Sequence, residues 1–111
     1  MNCWMNYNYN FTATFAKKIK ILLKKHKSIK QDILDLQAEL ETNPNIGVDL
    51  SSGFRKIRLK ISSTNNGKSG GGRVVIHELV IDTNSKNITF VTIWKKNEIE
   101  NIDINRLKNL I

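Results

Sequence analysis

Four basic residues, Lys56, Arg58, Lys60 and Arg73, have the types and spacing to act together on phosphate. In residues 54–61, Ile57, Leu59 and Ile61 alternate with Lys56, Arg58 and Lys60, so a strand here turns one face apolar and the other cationic. Arg73 opens the next apolar run after a glycine-rich loop that itself carries Lys68. Guanidinium groups stay charged and bond phosphate oxygens two at a time, which suits Arg58 and Arg73 to clamping. A lysine can give up and regain a proton where an arginine hardly can, so Lys56 is the better proton acceptor. Lys95 and Lys96 follow Trp94 at the end of the last apolar run, where an aromatic ring could stack on a base.

Other chemistries find less support. His26 falls on the apolar side of the first helical segment and reads as structural. His77 shares a strand face with Arg73, but four residues along a strand is about 13 Å, too far for direct contact. The two histidines with Glu78 or Asp82 have no zinc-ligand spacing. Cys3 is the sole cysteine, which excludes an internal disulfide and a cysteine-based zinc site. Gly67-Lys68-Ser69 lacks the spacing and the strand–helix context of a P-loop.

The elements that must carry these residues follow from periodicity. Residues 6–12 alternate polar and aromatic, predicting a first strand. From Ala13, Phe15, Ile19, Leu22, Leu23 and His26 recur at helical spacing. Ser28 starts a second helix, with Gln31 three residues on completing a capping box. Its stripe is Ile29, Ile33, Leu36 and Leu40, and Asn43-Pro44 ends it, so the two helices form an antiparallel hairpin. Residues 62–72 form a flexible glycine-rich loop; Arg73 to Asp82 and Asn87 to Trp94 are strands joined by a turn at Thr83 to Lys86. A last helix spans Ile104 to Leu110. The order is β-α-α-β-β-β-α in an α+β fold, with the last three strands an antiparallel meander.

At 111 residues this is a single domain, 1–111. Its 40% hydrophobic and 25% charged residues are ordinary for a folded protein, and no apolar run approaches bilayer length. Lysines break up the only hydrophobic segment near the N-terminus, so a cytoplasmic protein without a membrane partner is expected. The net charge is +8, from 18 basic and 10 acidic residues, and it is laid out in blocks. Residues 1–30 hold seven lysines and no acid, 31–51 five acids and no base, and 53–73 six bases and no acid. Blocks of one sign polarise the surface, and a positive one attracts nucleic-acid backbones.

Over roughly Asn8 to Leu110 the chain resembles the RelE/ParE superfamily of toxin–antitoxin toxins, most nearly its HigB/RelE-like branch. The resemblance is carried by Ala13-Thr14-Phe15 and by Ser28-Ile29-Lys30-Gln31-Asp32-Ile33-Leu34, each opening a helix. It continues through Gly53-Phe54-Arg55-Lys56-Ile57-Arg58-Leu59, Gly67-Lys68-Ser69-Gly70-Gly71-Gly72-Arg73-Val74 and Thr92-Ile93-Trp94-Lys95-Lys96-Asn97-Glu98. It implies a helical hairpin packed on a small antiparallel sheet with a C-terminal helix. It also implies a ribosome-dependent mRNA endonuclease needing no metal or other cofactor, with ribosome and mRNA as targets and a cognate antitoxin, of helix-turn-helix type, as partner.

In that pattern Lys56, Arg58 and Arg73 match basic residues lining the catalytic cleft, and Lys96 lies near another. Lys60, Lys68, Trp94 and Lys95 are the expected RNA contacts. Where many relatives carry a tyrosine, this chain has Trp94 and Ile102. The same scaffold in the ParE branch poisons DNA gyrase, so fold alone does not choose between an RNase, a gyrase inhibitor and a non-catalytic nucleic-acid binder.

Overall fold

The computed structural model describes residues 6–64, 71–96 and 103–111. Five strands form one mixed sheet. They are β1 (Asn6–Phe11), β2 (Val48–Ser51), β3 (Phe54–Leu59), β4 (Gly72–Asp82) and β5 (Ser85–Lys95), in the spatial order β1-β5-β4-β3-β2. The helices are α1 (Ala13–Leu23), α2 (Ile29–Thr42) and the short C-terminal α3 (Ile104–Lys108). The α+β class and the β3-β4-β5 meander agree with the sequence reading. The sheet is not wholly antiparallel, however: β1 runs parallel to β5, with Tyr9 opposite Ile88 and Phe11 opposite Phe90.

Periodicity placed the two long helices and most of their ends: α1 starts at Ala13 and α2 lies between Ser28 and Asn43, while α1 stops at Leu23, short of His26. Thr12 is not strand but the N-cap of α1: its side chain accepts the Phe15 N–H at 3.0 Å and donates to the Val91 carbonyl at 2.7 Å. The capping box at Ser28 does not form. The Ser28 hydroxyl donates instead to the buried Asp32 carboxylate at 2.7 Å, and Gln31 donates to Asp35. Asp32 also accepts from the Ser62 N–H and hydroxyl, tying the 3-10 turn Ser62–Thr64 to the first turn of α2. The expected loop of 62–72 is therefore ordered at both ends, and its centre, 65–70, lies outside the described residues.

Residues 44–53, which carry no periodic signal, contain β2. It pairs with β3 through a turn at Ser52 and Gly53, both at positive φ, the geometry of a two-residue type I′ connection.

The sheet buries both faces. On one, Phe15, Ile29, Ile33, Leu36 and Leu40 of the hairpin pack on Ile57, Leu59, Ile61, Val74, Ile76, Ile88, Phe90 and Ile93. On the other, Leu107 of α3 packs with Phe54, Val75, Val91 and Trp94. Each such large side chain taken out of water contributes about 1.5–3 kcal/mol before the entropy of ordering it is counted. A bulge makes the two-sided packing possible. The β4–β5 register passes from Val75↔Thr92 to Ile76↔Phe90, leaving Val91 as an extra residue. Phe90 and Ile93, three apart, thus share one face, and Val91 and Trp94 share the other.

His26 lies in the α1–α2 connection rather than on α1 and is buried. Its pKa is lowered, first by burial and then by Lys95 and Lys25. The unfolded chain, with the ordinary value of 6.5, therefore binds this proton more readily than the folded one. Stability should consequently fall as pH drops below about 6.5, with no contribution from this group above it. Denaturant midpoints at about pH 5.5 and pH 7.5 should differ less in His26→Leu than in the wild type. An unchanged pH slope in the variant would exclude His26 as a source of the acid sensitivity.

Candidate nucleic-acid interface

Arg58 of β3 and Arg73 of β4 are direct cross-strand partners, and Arg73 is in turn opposite Trp94 of β5. Directly opposed residues project from the same face, so the two guanidinium groups start about 5 Å apart at the backbone. Lys56 projects from the same face two residues earlier on β3, about 7 Å from Arg58. Three cations thus occupy one corner of the sheet on the face that α3 also covers. Arg58 is exposed, while Lys56 and Arg73 are half-buried. No carboxylate among the described residues pairs with any of them; the ion pairs resolved nearby join Arg55 and Lys86 to Glu78. The Arg73 guanidinium donates to the Gly72 carbonyl at 3.0 Å, which steers one of its nitrogens and leaves the rest of the group open.

Beside this row is a groove of about 510 Å³ lined by Lys56, Arg58, Arg73, Ile57, Ile46, Gly47 and Val48. The last three belong to the approach to β2 and were invisible to periodicity. Gly47 shapes the groove: its φ is +89°, and a Cβ there would lie 2.3 Å from the Lys56 carbonyl oxygen. Only glycine lets the chain turn and pass so close to β3.

The remaining sequence candidates stand in different relations to the row. Lys60 follows the end of β3 and is exposed. It lines a second groove, of about 470 Å³, which Arg58 also borders and whose other walls include Asp32, Asp35 and Glu39 of α2. Lys95 pairs with Gly72, one position out of phase with Arg73, and lies on the hairpin side, where its charge acts on His26. Trp94 is only 7% exposed and packs with Leu107 and Val75, so no open ring face remains for a base; its pairing with Arg73 is structural.

Lys96 is exposed just beyond β5, with its N–H donating to the Gly71 carbonyl at 3.0 Å, at the same end of the sheet as Arg58 and Arg73. Lys68 and Ile102 lie outside the described residues. His77 packs its ring on Phe54 at 4.8 Å and lies four residue pairs from the Arg58–Arg73 pair.

The two tyrosines are on the far side of the sheet. Tyr9 donates to Glu41 and to the Gln37 carbonyl, and burial followed by that carboxylate drives its pKa far up. Both ties bind β1 to α2 and leave the ring no part in the cationic corner. Among the described residues no three His, Cys, Asp or Glu side chains gather closely enough to share a metal ion. No helix among them is long and apolar enough to cross a membrane. No protein-family model matches the chain. The site is defined by its chemistry alone: two arginines and a lysine, without an ion-pair partner among the described residues, beside an open groove that could take an anion such as phosphate.

Proposed function

We propose that this protein is a metal-independent mRNA endonuclease of RelE/HigB type, acting in the cytoplasm on ribosome-bound message and neutralised by a cognate antitoxin of helix-turn-helix type. The observation that carries the reading is the Lys56, Arg58 and Arg73 corner, three cations on one sheet face with no described counter-ion, opening on a groove. Phosphodiester cleavage asks for such an arrangement. The 2′-oxygen bonds to phosphorus as its proton passes to a base, the 5′-oxygen departs and takes up a proton, and the phosphorane between carries extra negative charge. Arg58 and Arg73 hold the non-bridging oxygens as that charge grows. Lys56 accepts the 2′-proton, and Lys96 at the end of β5 supplies a further cation to the flanking backbone. The chain has no facing histidine pair to do the proton transfers on free RNA, so the ribosome positions the message.

The α1 lysines project from the hairpin on the other side of the sheet and serve docking in a salt-dependent way. Inducing the protein alone in a bacterial host should arrest growth within a few generations, and co-expressing the antitoxin encoded beside it should relieve the arrest. Normal growth with confirmed accumulation of folded protein would contradict the proposal. Arrest accompanied by DNA–gyrase adducts and intact mRNA would transfer the chain to the gyrase-poisoning branch.

A further inference from the structure

The groove beside the cationic corner has a second wall of different chemistry. β2 first pairs with β3 at Val48↔Lys56, so past that point the outer edge of β3, Ile57 to Leu59, has no strand beyond it among the described residues. Gly47 turns the chain away at this place, sending Ile46 to pack against the hairpin-side core while Val48 stays on the sheet edge, 57% exposed. Val48 and Ile46 therefore give aliphatic lining, at the sheet edge, to the same groove of about 510 Å³ that the cations line, a volume within the range of small-molecule sites. Val48 is one strand over and two residues along from Arg58, about 8 Å in all. The phosphate and the base of one nucleotide, separated by a single sugar, span a distance of the same order.

We propose that this groove is a mononucleotide subsite, in which Arg58 and Arg73 take a phosphate and Val48 and Ile46 form the wall against which the attached nucleobase lies. The inference rests on the RNA-cleaving reading and names the part of the substrate that the corner grips. It assigns function to residues outside the basic set. The aliphatic wall excludes water from one base face, and the free main-chain edge of β3 offers N–H and C=O groups to the base rim. Gly47 keeps the floor open, because any side chain there would meet the Lys56 carbonyl.

The test is a titration of the full chain followed by backbone-amide and methyl NMR, using adenosine 3′-monophosphate, adenosine and inorganic phosphate as probes. The nucleotide should shift the resonances of Arg58 and Arg73 together with the Gly47 amide and the Val48 methyls. Inorganic phosphate should move only the arginines. Val48→Ser, at an exposed position, should keep the fold and weaken the nucleotide about fivefold while leaving phosphate affinity within about twofold. Equal binding of nucleotide and phosphate, with Gly47 and Val48 unmoved, would overturn the subsite and leave a bare anion clamp. The two proposals fail separately. Nucleotide binding at Val48 by a protein that cuts no message removes the endonuclease and keeps the subsite; cleavage without any response at Val48 does the reverse.

Discussion

Replacing Arg73 by alanine should lower single-turnover cleavage of mRNA on saturated ribosomes by about 10²–10³-fold, the usual cost of removing one donor aimed at charge that develops in the transition state. The physical reason lies in its neighbours. Arg73 is half-buried between Arg58 and Trp94, so its guanidinium approaches phosphate with less competing water than a free surface arginine has. The hydrogen bond to the Gly72 carbonyl fixes one edge of the fork, leaving the others aimed outward. The same substitution removes no residue of either hydrophobic cluster, so the fold should persist. Ribosome affinity should change little, because most of the protein's positive charge lies elsewhere. Lys24→Ala, on the exposed end of α1, is the matching control: it should weaken binding in a salt-dependent manner and leave the bound rate intact.

Lys56→Ala should be as damaging or more so, with a loss of about 10²–10⁴-fold if the side chain takes the 2′-hydroxyl proton. Lys56 alone in the row can exchange a proton, since both its companions are guanidinium groups. Lys56→Arg separates the two roles open to a cation at this position. It restores the charge without restoring a proton acceptor, so it should remain as slow as Lys56→Ala. Recovery to near the wild-type rate in Lys56→Arg would show that the position contributes charge alone.

The cationic corner was legible in the sequence because a strand alternates by two. Lys56 and Arg58 fall on one face of any strand through Ile57 and Leu59, and the structure places them there. Arg73 joined them through a pairing register that a glycine loop of uncertain path could not reveal. Other positions depart from simple alternation where a single residue breaks the period. The extra Val91 in β5 reverses the alternation downstream, turning Trp94 into the α3-side core and Lys95 toward His26. Lys60 lies past the last β3–β4 pair, beyond the reach of the strand rule.

Val48 and Ile46 went unnoticed because β2 is four residues long, is irregular between Asp49 and Ser51, and is bounded by Gly47 and Gly53 at positive φ. So short an edge strand gives periodicity too little length to register. Ser28 shows a different limit. Its capping-box pattern is genuine, but the buried Asp32 offers its hydroxyl a stronger, charge-assisted partner.

The most direct test of the central claim is primer extension on a defined message incubated with the purified protein, with and without translating ribosomes. Cuts should appear within the translated frame only when ribosomes are present, and naked RNA should remain largely intact. Equally fast cutting of free RNA would contradict ribosome-dependent positioning, and intact message in both reactions would contradict the endonuclease itself.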